Sequence, residues 1–399
     1  MSKFKFSALI SAICLMSIFL YTIVGFSQTP QPTVKLVTKP PLSQIHPFEA
    51  EATTPQSPAL LTLLAVDSKS LPLANAKIHL TILTPPKNPW FSTDFPIVEG
   101  TKLLEMEAIA PKGELQIQQL LPIRGTYQLL VNVTPMVANA FTAIQQTLTL
   151  SVPENGVKYR NFGILAVILL FVGLGGGLVI GLRQQIQPGE IAPQQVRLLL
   201  SGLIVLAIAA LLYVNVSAEI AESGMGHAHA HSTLHTEKTD NSGIVQSQGL
   251  SARLLGDTSA TVGQAASLEV QVIDTQTNQP ATDVLLNVKA TQLEDEWIAF
   301  AYKAVPDSKG QLKWLSQFFD GAPHSIEVEV SPQPNAPRQF KPFQVKRKIE
   351  VEGIAPPLYI RLIALTYLTG IVVFGLLMGL GIQRRRRQRV SHTRSISVL

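Results

Sequence analysis

The chain of 399 residues contains one cysteine, Cys14, and it lies inside an apolar run. Disulfide staples are therefore excluded, and so are thiolate metal sites and thiol redox chemistry beyond that run. A lipoprotein signal is also excluded, because Cys14 follows Ile13 where a small residue is needed. Catalytic signatures are missing as well. There is no serine nucleophile elbow, phosphate loop, HExxH helix or pair of catalytic carboxylates, which argues against an enzyme. Apart from Tyr213 and Tyr367, the last three apolar runs hold no ionisable group. That argues against a proton or ion path through this chain alone.

What the chain does have is apolar length. Four runs stand out, at 7–26, 162–182, 198–218 and 362–382. The last three are long enough to span, since a bilayer core of ~30 Å needs about 20 helical residues. The first follows Lys3 and Lys5 and ends near Gly25-Phe26-Ser27. It fits either a cleaved signal peptide or an N-terminal anchor helix. Lys3, Lys5, the loop from Arg183 to Arg197 and the tail from Arg384 to Arg389 fall on one side if every run spans. Basic flanks mark the cytoplasmic side. The expected places of 28–158 and 219–356 are then extracytoplasmic, in a cell inner or plasma membrane. The "RRRRQR" tail reads as a stop-transfer anchor rather than a nucleic-acid patch.

The chain also repeats itself. Gly113 and Pro135 are spaced as Gly310 and Pro332 are, and the apolar alternation between them coincides: Leu115 with Leu312, Leu129 with Ile326, Val131 with Val328, Val133 with Val330. "AVDSKSLPLANAKIHLTI" matches "QVIDTQTNQPATDVLLNV" with a one-residue shift. Trp90 and Trp297 follow at corresponding distances and are expected as equivalent core anchors. Some ten extra residues are expected between Trp90 and Lys112, looped out of the first copy. Residues 28–58 are rich in proline and read as an extended lead-in.

Six short strand-like runs fall between Ala59 and Val152, and six more between Ser267 and Val351, parted by turn signals such as Pro111-Lys112-Gly113 and Asp307-Ser308-Lys309-Gly310. This predicts a β-sandwich in each copy. The motif "LEVQVIDTQTNQPATDVLLNV", a strand, Asp, a turn, Pro and a second strand, resembles Ig-like extracytoplasmic modules. It is similar to carboxypeptidase-regulatory-like domains and to the YtkA-like and FixH-like domains, and the arrangement looks like that of a bacterial, cyanobacterial-type membrane protein. The resemblance implies a link to copper handling and oxidase assembly. The chain departs from those modules in having no Met-rich run and no His–Cys pair.

The expected fold class is a mixed membrane protein, two extracytoplasmic Ig-like β-sandwiches alternating with transmembrane helices. The expected order is signal or anchor 1–27, sandwich 28–158, helix 159–183, cytoplasmic loop 184–197, helix 198–218, His-rich linker 219–243, sandwich 244–356, helix 357–383 and basic cytoplasmic tail 384–399.

Only the second copy carries "GMGHAHAHSTLH". His227, His229 and His231 point to one side of an extended chain, and His227, His231 and His235 stack on a helix. Either form offers three imidazoles to a labile divalent ion, Zn, Cu or Ni. The rival reading is a solvated polar linker. His324 stands where the other copy has Tyr127 and is expected to be packed. Glu294-Asp295-Glu296 reads as a solvated loop. Gly173, Gly177 and Gly181 in one run, with Gly375 and Gly379 in another, predict two closely packed helices. The function expected is that of a non-enzymatic membrane protein accessory to metal transport or supply, within a membrane-protein complex. The alternative is a membrane-anchored scaffold whose histidines are incidental.

Overall fold

The computed structural model describes residues 31–49, 56–88, 90, 93–181, 193, 196–199, 201–202, 243–334 and 336–396. The first half contributes strands β1 (Thr33–Lys39), β2 (Ala59–Val66), β3 (Ala76–Leu83), β4 (Lys102–Ala110), β5 (Glu114–Gln119), β6 (Gly125–Pro135) and β7 (Ile144–Val152), then helix α1 (Gly156–Gly181). The second contributes β8 (Ile244–Ser247), β9 (Leu250–Gly256), β10 (Ser259–Thr261), β11 (Ala265–Asp274), β12 (Val284–Gln292), β13 (Ile298–Ala304), β14 (Gln311–Gln317), β15 (His324–Pro332) and β16 (Phe343–Glu352), then helix α2 (Leu358–Ile396).

Period-two burial makes these segments strands. β12 alternates buried and half-buried residues along its length, and β5 alternates buried with exposed. One face of each strand therefore enters a core and the other faces solvent. In the first half β1-β2-β5 form one layer and β7-β6-β3-β4 the other. In the second half the layers are β9-β11-β14 and β13-β12-β15-β16. Matched in chain order, β1 to β9 and β2–β7 to β11–β16, the two strand orders are identical. Each is a seven-stranded Ig-like sandwich of three strands against four.

The halves do not remain separate. β5 pairs with β13 and β4 with β14, so two eight-stranded sheets run through both copies. The registers are Phe300 with Gln119, Ala301 with Gln118 and Tyr302 with Ile117, and on the other sheet Leu104 with Ser316, Glu105 with Leu315 and Met106 with Trp314. Exchanging each residue for its counterpart in the other copy turns the first set into the second. The junction is thus a pseudo-two-fold interface, like that of a symmetric dimer but within one chain. It covers four strand edges that would otherwise be free to pair with other chains. One hydrophobic core extends through both halves.

Matching turns support the duplication. Gly113 and Gly310 each have φ of +68°, and a Cβ would lie 2.5 Å from the Leu73 carbonyl oxygen in one and 2.4 Å from that of Val272 in the other. Only glycine meets both conditions.

The two helices are long and apolar enough to cross a membrane. α1 would be about 39 Å long at 1.5 Å per residue. They pack face to face on glycines. A Cβ on Gly173 would lie 2.1 Å from the Val372 carbonyl oxygen, and one on Gly177 at 2.1 Å from that of Leu376. In return, Gly375 approaches the Leu170 carbonyl oxygen and Gly379 that of Leu174. These contacts exchange under the same swap of copies, so the helix pair shares the symmetry of the sheets.

Three expectations need correction. Trp90 is 67% exposed while Trp297 is 4% exposed, so they are not equivalent core anchors. The extra length of the first copy is residues 84–101, between β3 and β4, where the second copy has only 293–297. Trp90 therefore lies within the insertion rather than ahead of it. The proline-rich lead-in also yields β1, which pairs along its whole length with β2.

Candidate functional site

β7 and β16 run toward the helices, so the loops β3–β4 and β5–β6, with their counterparts β12–β13 and β14–β15, gather at the helix end of the sandwich. Side chains cross between copies there. Phe48 of the first copy meets Trp297 and Phe319 of the second, and Phe95 meets Phe319, with ring centroids 4.9–5.4 Å apart. Trp297 stacks on Phe319 at 5.3 Å. A buried aromatic set of this kind fixes the two copies against each other.

His324 lies against this cluster, 4.5 Å from Phe318 and 5.6 Å from Trp297 between ring centroids. It is fully buried, as expected for a packed residue. In the first copy Tyr127 stands at that place. Its hydroxyl donates to the Ile123 carbonyl at 2.7 Å and accepts from the Ile123 N–H at 2.9 Å. This is the tyrosine corner of Ig-like domains, which ties the start of a strand to the preceding turn. Burial drives the Tyr127 pKa up, opposed by the Ile123 bond. His324 makes one such tie only, from Nδ1 to the Ala322 carbonyl at 2.8 Å. Burial pushes its pKa down to about 4, and the Ala322 bond opposes the shift.

Acids line the loops beside it. Asp320 accepts a bond from Gln292 Nε2 at 3.2 Å, and burial first, then Asp295, raises its pKa. Glu294 is raised by burial, then by Asp320 and Asp295. Among the described residues no group of three or more His, Cys, Asp or Glu is placed to hold a metal.

Ion pairs collar the start of α1. Lys158 pairs with Asp94 of the insertion, Arg124 with Glu154 at 2.6 Å, and Asn155 donates to Glu49 at 2.7 Å. Near the start of α2, Lys87, Asn88, Trp90 and Glu99 of the insertion meet Tyr359, Ile360 and Ile363 around a pocket of ≈ 270 Å³. Spacing from Asp67 had marked Trp90 as core; the signal that it was not core is the proline-broken stretch around it.

The expected metal ligands His227, His229, His231 and His235 lie outside the described residues. The chain re-enters the described structure at Gly243, beside the Leu254 carbonyl and Arg347.

No family model matches the sequence, and no curated protein matches it. Solved structures give only distant likeness. Trypsin-activated alpha-2-macroglobulin from Escherichia coli is 9% identical with a TM-score of 0.21, over 80% of this chain and 16% of that one. The adhesin InvE of Yersinia pseudotuberculosis is 12% identical with a TM-score of 0.17, over 80% of this chain and 61% of that one. The D0-D1 domain of intimin is 12% identical with a TM-score of 0.17, over 80% and 100%. The chain thus spans less than two thirds of the first two. At these scores the Ig-like assignment stands on the strand order and the tyrosine corner. The finer likeness to YtkA-like and FixH-like domains finds no matching family.

Proposed function

We propose that this chain is a non-enzymatic integral membrane protein, a scaffold that holds a rigid double Ig-like platform outside the bilayer for a membrane-protein assembly. One observation carries this reading. The same pseudo-two-fold relates the sheet junction and the glycine helix pair, so platform and anchor form one unit. A parallel helix pair with both sandwiches at one end also needs a segment to bring the chain back across, and the apolar run 198–218 supplies it. α1 and α2 are mostly exposed along their apolar lengths, which suits lipid and not water. Arginines at 384–387 follow the apolar part of the second helix, as a cytoplasmic flank should.

Cysteine labelling tests the topology. In a Cys14→Ser background, Ser308→Cys should react with an impermeant maleimide in intact cells, and Ser391→Cys only after lysis. Reaction of both in intact cells would remove the spanning arrangement.

A second reading rests on the clustered imidazoles. His227, His229, His231 and His235 would capture labile Zn, Cu(II) or Ni for a metal-supply complex. Affinity should weaken as pH falls through about 6.5, since only neutral imidazole ligates. Calorimetric titration of the solubilised chain with Zn²⁺, beside a variant with all four changed to Ala, tests it. Equal heats would leave the scaffold alone.

A further inference from the structure

We infer that the insertion 84–101 builds a phospholipid site against the first turns of α2. This rests on the spanning arrangement above and adds a ligand to it. The first copy alone has this loop, so the site occurs once in the molecule. It is formed across the copies, loop from the first and helix from the second.

The pocket has two chemical ends. Tyr359, Ile360 and Ile363 of α2 and the Trp90 ring present apolar surface. Lys87, Asn88 and Glu99 present polar groups; Lys87 and Asn88 are exposed, whereas the Glu99 carboxylate is buried and taken up by Thr93. No carboxylate ion-pairs with Lys87 among the described residues. Its charge remains available for a phosphate. Ile360 and Ile363 continue into the apolar length of α2, the track an acyl chain would follow. Trp90 is 67% exposed, although an indole of that size gains by leaving water. Just beyond the start of an apolar helix, an indole reaches the headgroup level, where its ring and N–H are both satisfied.

The loop is held in place for this role. Glu99 is buried and accepts from the Thr93 N–H at 2.9 Å and the Thr93 hydroxyl at 2.7 Å. The Thr84 hydroxyl donates to the Val98 carbonyl at 2.6 Å. Asp94 pairs with Lys158 at the start of α1. The backbone N–H of Trp90 donates to the Asn88 side-chain oxygen at 2.9 Å. The described residues of the insertion are thus pinned beside both helices, and Lys87 and Trp90 line the pocket against α2. The headgroup phosphate would rest on Lys87, the glycerol region on Trp90, and one chain along Ile360 and Ile363.

Fluorescence of the full chain in phosphatidylcholine vesicles tests this. Trp297 and Trp314 are buried in the sandwich, so the difference between native protein and Trp90→Phe isolates Trp90. Its emission should be quenched by lipid brominated near the headgroup end of the chain, and less by lipid brominated near the methyl end. Doping with brominated phosphatidylglycerol should quench about twofold more than brominated phosphatidylcholine, and Lys87→Gln should bring the two to parity. Trp90 emission at the wavelength of a hydrated indole, unquenched by any of these lipids, overturns the site. So does an unchanged headgroup preference in Lys87→Gln. Flotation of the vesicles separates this failure from another. Protein that floats with unquenched Trp90 loses the lipid site alone, whereas protein that does not float loses the membrane reading itself.

Discussion

Tyr127 and His324 occupy one position in two copies of a fold, and they show what divergence costs. Tyr127 closes a corner with two bonds to Ile123, whereas His324 closes its corner with one to Ala322. Burial holds the His324 pKa down at about 4, below the ordinary value of 6.5, against the opposing bond to Ala322. The unfolded chain takes up the proton first as pH falls. Stability from the neutral ring is complete above about 6.5 and is lost on the way down to about 4, on the order of 3 kcal/mol in all. Asp320 and Glu294 act in the opposite direction. Their raised folded values mean stability is lost as pH rises through them. His324→Phe removes the imidazole part and leaves the carboxyl part. Urea midpoints at pH 7 and pH 4.5 should therefore fall further for the native protein than for His324→Phe. An equal fall in both would refute the assignment. That His324 would be packed was legible from its alignment with Tyr127. That Trp90 would be exposed was not, because spacing counted from Asp67 does not register an insertion lying ahead of β4.

Among the elements, the twelve strand-like runs are all strands; most alternate apolar and polar residues beside a turn signal, and Ala59–Val66 and Ile298–Ala304 are short apolar runs instead. β1, β8 and β10 carry weaker signals in the sequence, for different reasons. β1 is flanked by prolines, which mask its alternation. β10 spans only Ser259–Thr261, and β8 buries no residue fully. Such edge segments carry little hydrophobic signal because one side and one edge of each meet solvent. The helix pair was legible from its small residues, since glycines four apart share a helix face. That geometry makes a sharp prediction. Gly177→Leu places a side chain where the Leu376 carbonyl oxygen lies 2.1 Å from a Cβ, while Gly175→Leu meets nothing within 4 Å. The first should force the helices apart and lower the thermal midpoint of the solubilised protein. The second should leave it within experimental error. Similar midpoints for the two would show that α1 and α2 do not pack on these glycines.

At the scale of the whole molecule, duplication explains more than the recurrence of strands. The junction pairs β4 with β14 and β5 with β13, and each pairing is the image of the other under exchange of copies. No local pattern in the chain could reveal this, because it depends on register between residues about 200 positions apart, such as Glu105 and Leu315. An interface of this symmetry has the form of a homodimer made permanent by fusion. Under the spanning arrangement proposed above, fusing two parallel subunits requires a further crossing, and the apolar run 198–218 is long enough to make one. The second half should therefore still carry both complementary edges. Expressed alone from residue 198 to 399, it exposes β13 and β14, and β13 of one subunit can pair with β14 of another in the register that Phe300 and Ser316 inherit from their counterparts. Gly375 and Gly379 supply a self-complementary helix face in the same orientation. We expect this half to form a symmetric dimer in detergent, visible as a doubled protein mass in light scattering. Ala301→Cys and Leu315→Cys introduced together should then cross-link between subunits through a short bis-maleimide. A folded monomer would instead mean that the junction depends on features of the first half, such as Phe48 and Phe95 packed on Trp297 and Phe319, and not on the shared edges.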